Sequence, residues 1–177
     1  MRRESGFTLI ELLVVMSISA VLMTLGASAV RHFWFVNAVD KGAEQVQSEL
    51  RQLQQRATAQ SHPLVYGAWF RTGQNSSWGV LKFDPKNAST ASDDECTQVG
   101  GAEVLPSGAT FSAVDFSTTG ATTIETKCSV VAPAGSERVY FFARGTATPG
   151  ELTVYQSNIN ESRTLAVSAL TGRVDEQ

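Results

Sequence analysis

The sequence predicts an α+β protein: a long N-terminal helix, transmembrane and then amphipathic, packed against a C-terminal antiparallel β-rich head of two small sheets. Three observations carry that expectation. Residues 7–30 are an almost unbroken apolar run, and residues 36–57 place an apolar side chain at every third or fourth position. Residues 63–177 break into short segments rich in β-branched and aromatic residues, separated by Gly, Ser, Asn and Pro.

The first element is FTLIELLVVMSISAVLMTLGASAV, Phe7 to Val30, in which Glu11 is the one charged residue. At about 1.5 Å per residue it makes a helix of roughly 36 Å, enough to cross a hydrocarbon core of about 30 Å with some tilt. Arg2 and Arg3 precede it and the polar bulk follows, so the positive-inside bias predicts a single-pass protein with a cytoplasmic N-terminus and an exported head. Gly26 weakens this helix by roughly 1 kcal/mol relative to Ala and marks a place for a bend. Phe33, Trp34 and Phe35 stand where the helix leaves the bilayer, the depth that aromatic rings favour.

Residues 31–62 continue as the amphipathic half. Val36, Val39, Ala43, Val46, Leu50, Leu53 and Ala57 form one stripe, with Asp40, Lys41, Glu44, Glu49, Arg51 and Arg56 on the other faces. The helix is expected to end near Ser61-His62-Pro63, because the residue before a proline avoids the helical region. In the head, residues 63–177, the strand expectations are Leu64 to Phe70, Trp78 to Phe83, Ala109 to Phe116, Ile124 to Val131, Arg138 to Ala143, Glu151 to Gln156 and Arg163 to Leu170. Strands this short need a cover, and the apolar stripe of the helix supplies it. Asp84 to Gly101 reads as a long loop whose Asp93-Asp94-Glu95 cluster is a solvated acidic turn. A calcium loop spaces its acids at alternate positions, which this cluster does not.

Composition excludes much. Fourteen basic against seventeen acidic side chains give a formal charge of -3, with no long block of one sign, which argues against bulk electrostatic binding of nucleic acid. His32 and His62 stand thirty residues apart with no second ligand at metal spacing, so no metal site is assigned. No nucleophile elbow, Walker loop or H-E-x-x-H motif occurs, and no cofactor or catalytic residue is assigned. Cys96 and Cys128 are the only cysteines, and an even count in an exported chain favours a disulfide over a reactive thiol.

Two processing readings stand side by side. Arg2-Arg3, the apolar run and Ala27-Ser28-Ala29 match a secretory signal peptide, whose removal after Ala29 would release a soluble β-domain binder. The run is longer than such a signal needs, and it holds a carboxylate. An acidic residue costs about 2.5 to 3.5 kcal/mol at mid-membrane, so it generally has a partner or a task.

Ser5-Gly6-Phe7-Thr8-Leu9-Ile10-Glu11-Leu12-Leu13-Val14-Val15 resembles the N-terminal signature of type IV prepilins and pseudopilins. The resemblance implies that residues 1–6 are a leader, cut at the Gly6/Phe7 bond by a prepilin peptidase that then methylates the amine of Phe7. Glu11 would pair with the N-terminal amine of a neighbouring subunit inside an apolar filament core. There, removal of one partner costs several kcal/mol, and the pair sets axial register. The implied partners are other pilin or pseudopilin subunits, the peptidase, an inner-membrane assembly platform, and the membrane itself before assembly.

Gly150-Glu151-Leu152-Thr153-Val154, Arg163 to Ser168 and Thr171-Gly172-Arg173-Val174 are similar to the closing strands of minor pilins and pseudopilins of the FimT and GspH type. DNA-uptake members of that type end in Gly-Arg-x-Arg. Here Asp175 and Glu176 follow Arg173, so a phosphate clamp is lost, DNA binding is disfavoured, and Arg173 is left as a weak ligand contact beside a local acid. The expectation is a non-enzymatic minor subunit of a type IV pilus-like filament. A type II secretion pseudopilin is the alternative within the family.

Overall fold

The computed structural model describes residues 8–59, 64–73, 76–85 and 95–177, with the side chains of 25–29 and of 107 excepted. Gly6, Phe7, His62, Asp93 and Asp94 therefore lie outside the described residues. One helix, α1, runs Leu9–Ala59. Compactness divides the chain between Trp34 and Phe35 into two units.

In the first unit the apolar side chains from Leu9 to Met23 are exposed, Leu9 at 83% and Val14 at 47%. Among the described residues no helix is long and apolar enough to cross a membrane. The described apolar side chains before the excepted ones cover residues 9–24, fewer than the roughly 17 to 25 that a span requires. Phe33 and Trp34, at the end of this unit, are also exposed.

The second unit is Phe35–Gln177. Its strands are β1 (Val65–Arg71), β2 (Ser77–Asp84), β3 (Glu95–Val104) and β4 (Thr110–Phe116), followed after a short helix α2 (Thr122–Cys128) by β5 (Glu137–Phe141), β6 (Gly150–Gln156), β7 (Glu161–Val167) and β8 (Val174–Glu176). They form two antiparallel four-stranded sheets, in the orders β3-β2-β1-β5 and β4-β6-β7-β8. The α+β expectation of a helix with two small sheets holds.

The helical stripe is why the sheets can exist. Val39, Ala43, Val46, Leu50, Leu53 and Ala57 are all buried, in one cluster with Phe70 and Val139 of the first sheet and Phe111, Leu152 and Leu165 of the second. Burying each large aliphatic side chain is worth about 1.5 to 3 kcal/mol, so this stripe holds the unit together. Val36, at its start, is only half-buried. The last strands are also tied to α1 by polar contacts: Arg51 donates to the Val174 carbonyl at 3.1 Å and Gln54 to that of Thr171 at 2.6 Å.

The first sheet is covered on both faces. Its outer face carries a second cluster, Val65, Trp69, Leu81, Phe83 and Tyr140, closed by Ala121, Cys128 and Ala132. Glycines opposite the large rings make room for them. Gly67 pairs with Tyr140 and Gly79 with Trp69, and a Cβ at Gly79 would come within 2.8 Å of the Trp69 indole nitrogen. The second sheet buries one face only, so β6 alternates buried and partly exposed residues.

Three expectations are corrected. Ile124 to Val131 is not a strand: residues up to Cys128 belong to α2. Thr122, Thr123 and Ile124 are β-branched and favour a strand locally, yet Ala121, Ile124, Cys128 and Val131 face the outer cluster at helical spacing, and that tertiary contact decides. The long loop expected over Asp84 to Gly101 contains β3 from Glu95 onward. That strand is an exposed edge, irregular opposite Gly79 with Gly100 at φ +80°, so it lacks the alternation that reveals a half-buried strand. The seven strands expected from local propensity end at Leu170 and omit the three-residue β8, which begins at Val174, the last residue of the segment similar to closing strands.

Candidate assembly interface

The N-terminal segment starts as a capped helix. Thr8 precedes the first helical residue, and its hydroxyl accepts a hydrogen bond from the Glu11 amide at 3.3 Å, while its carbonyl accepts from the Glu11 and Leu12 amides at 3.1 and 3.2 Å. Thr8-Leu9-Ile10-Glu11 thus has the T-x-x-E pattern of a capping box, with a carboxylate in the first turn where the helix dipole favours it. The Glu11 side chain is exposed and its carboxylate has no partner among the described residues. Around it the helix surface is apolar and open, a shape that buries itself only against other apolar helices or lipid.

In the head, Cys96 and Cys128 form a disulfide, with Cα atoms 5.2 Å apart, and no cysteine is free. It joins the edge strand β3 to the end of α2. The other side of α2 is fastened to the opposite edge strand, β5. Glu125 is ion-paired with Arg138, whose Nε donates to Oε1 at 2.7 Å, and its Oε2 accepts from the Tyr140 hydroxyl at 2.8 Å. Burial alone would raise the Glu125 carboxyl, but the hydrogen bonds from Arg138 and Tyr140 and the guanidinium charge hold it below its ordinary value. The Glu125 hydrogen bond raises Arg138 in turn, and burial with the adjacent carboxylate pushes the Tyr140 hydroxyl far above its usual range. Sequence reasoning missed this triad. Its one signal was Arg138 and Tyr140 two apart on a strand, hence on one face.

The remaining predicted contact, Arg173, is exposed and donates from Nε to Asp175 at 2.7 Å, as a strand-end residue beside a local acid. Arg163 is surrounded by carboxylates: Asp40 of α1 at 2.9 Å, Glu176 at 3.4 Å and Glu161 at 3.7 Å. Among the described residues no group of three or more His, Cys, Asp or Glu side chains is placed to hold a metal ion.

Comparison with known proteins adds two matches. A family profile for the prokaryotic N-terminal methylation motif covers residues 1–27, the segment that holds Gly6, Phe7 and Glu11. A second, for the type II transport protein GspH, covers residues 42–171, which takes in the helix stripe from Ala43 onward, most of both sheets and the disulfide. No curated protein and no solved structure matches the chain. With a methylation motif at its N-terminus and a match over residues 42–171, the protein belongs to the GspH family, among pilin-like proteins of the FimT and GspH type.

Proposed function

We propose that this chain is a non-enzymatic minor subunit of a type IV pilus-like filament. The observation that carries the reading is the capped apolar helix with one unpartnered carboxylate, Glu11, inside the methylation motif. Residues 7–30 store the subunit in the membrane with its N-terminus in the cytoplasm and its head outside. After cleavage at Gly6/Phe7 and methylation of Phe7, the same helix lines the filament core, and Glu11 pairs with a neighbour's amine to set register. The partners are other pilin or pseudopilin subunits, the prepilin peptidase and the assembly platform. Intact-mass analysis of the membrane fraction tests the reading, because the mature chain should begin at a methylated Phe7. A chain beginning at Val30 would instead identify a secreted β-domain.

A second reading, a type II secretion pseudopilin, is favoured by the profile that matches the head. It shares every step of maturation and differs in the machine that extends the filament. Deletion of the chain separates the two: loss of pili supports the first, and loss of protein export with pili intact supports the second.

A further inference from the structure

A cleft of about 460 Å³ opens beside Val65, between the loop ahead of α2 and the loop that follows β5. Ordinary ligand sites span roughly 300 to 1,000 Å³, so it is large enough to hold one. Val65, Phe142 and Ala147 give it an apolar lining, and Thr146 adds a hydroxyl. Arg144 is exposed and is the one charged residue among the described residues that line the cleft. Neither its guanidinium nor the Thr146 hydroxyl has a partner among the described residues.

The turn that carries Arg144 adds further donors. The Phe142 amide donates to the Thr146 carbonyl and the Gly145 amide to the Phe142 carbonyl, both at 2.9 Å, which closes residues 142–146 into a tight loop. The amides of Ala143 and Arg144, inside that loop, have no acceptor among the described residues. A guanidinium and two consecutive free amides on one turn suit a carboxylate, whose oxygens have several lone pairs to fill. The apolar lining beside them suits a side chain attached close to that carboxylate. Both groups occur together at the end of a polypeptide whose last residue is apolar. An alkyl carboxylate fits less well, because its methylenes leave the Thr146 hydroxyl unbonded, whereas a peptide backbone offers it a partner.

We propose that the cleft binds the C-terminal residue of a partner polypeptide, its carboxylate at Arg144 and the two turn amides and its apolar side chain against Val65 and Phe142. The site needs only the folded head, so it stands apart from the filament reading. One cleft per head lets a subunit present in few copies hold one exported partner.

The test is fluorescence anisotropy of the full chain in detergent, titrated against a fluorescein-labelled pentapeptide that ends in leucine. Binding of the free acid should saturate. The same peptide with a C-terminal amide should bind about tenfold more weakly, and R144Q should weaken the free acid about tenfold while leaving the amide unchanged. T146W, which fills the cleft, should abolish binding of both. An unchanged denaturant midpoint shows that each variant is folded. No saturation up to about 1 mM, equal affinity for acid and amide, or binding that R144Q or T146W leaves intact overturns the site. If octanoate displaces the probe at the concentration at which N-acetylleucine does, the peptide end is overturned as the occupant. All of these outcomes leave the filament reading standing, because none depends on assembly.

Discussion

Glu125 shows how a single side chain ties an element to the fold. It receives hydrogen bonds from Arg138 and Tyr140, with side chains only 20% and 14% exposed for Glu125 and Arg138. Glu125→Ala leaves the Arg138 charge partly buried without its acid, which should cost about 1 to 3 kcal/mol, less than a fully buried pair because solvent still reaches the site. A urea midpoint at neutral pH measures this. The pH dependence has a definite sign. Because the folded Glu125 carboxyl lies below its ordinary value, its contribution is full above the ordinary carboxylate range and is lost as pH falls through the lowered folded value. Acid titration of stability should therefore be shallower in Glu125→Gln than in the wild type, and equal slopes would remove Glu125 from the acid response. At the other end of the chain, Glu11→Ala should leave cleavage and head stability unchanged while reducing recovery in sheared filaments. Equal recovery would mean that Glu11 is no register contact.

At the scale of elements, α2 acts as a strap across the outer face of the first sheet. Its end is bonded to β3 through Cys96–Cys128, and its middle is held to β5 through Glu125, so the two edge strands are joined over the Trp69 and Leu81 cluster. The disulfide closes a loop with a sequence separation of 32. Replacing both cysteines by serine should therefore lower stability by about 2 to 4 kcal/mol, read as a shift in denaturant midpoint relative to the oxidised wild type. The α1 stripe is the larger contributor. Leu50 is 1% exposed in the cluster shared by both sheets, and Leu50→Ala should cost about 2 to 5 kcal/mol through lost transfer energy and a cavity. A loss below about 1 kcal/mol would mean that the sheets pack without the helix.

At the scale of the whole molecule, charge bears on the choice of partner. The formal charge is -3, Arg173 is engaged by Asp175, and Arg163 is shared among three carboxylates. Cations already paired with local acids release few counterions on meeting a phosphate backbone. A gel-shift titration of the full chain in detergent should accordingly show weak or no retardation of duplex DNA near physiological salt. Salt-sensitive retardation at low micromolar protein, lost in Arg173→Ala, would reassign the C-terminal turn to DNA contact.

Local chemistry was enough for some of this protein and not for the rest. The apolar run with Glu11 and the stripe from Val39 to Ala57 were legible because helix periodicity depends on residues within a few positions of one another. The Cys96–Cys128 pairing was legible because two cysteines leave one intramolecular partner each. What only the tertiary structure decided are the features whose cause lies far along the chain. α2 is helical despite its β-branched residues because its period meets Trp69 and Tyr140, and β3 is a strand because β2 offers it a free edge. Glu125 meets Arg138 and Tyr140 because α2 crosses the sheet, and the cleft at Arg144 exists because the loop ahead of α2 and the loop after β5 come together beside Val65. Such contacts come from chain segments that fold past one another, and no local propensity records them.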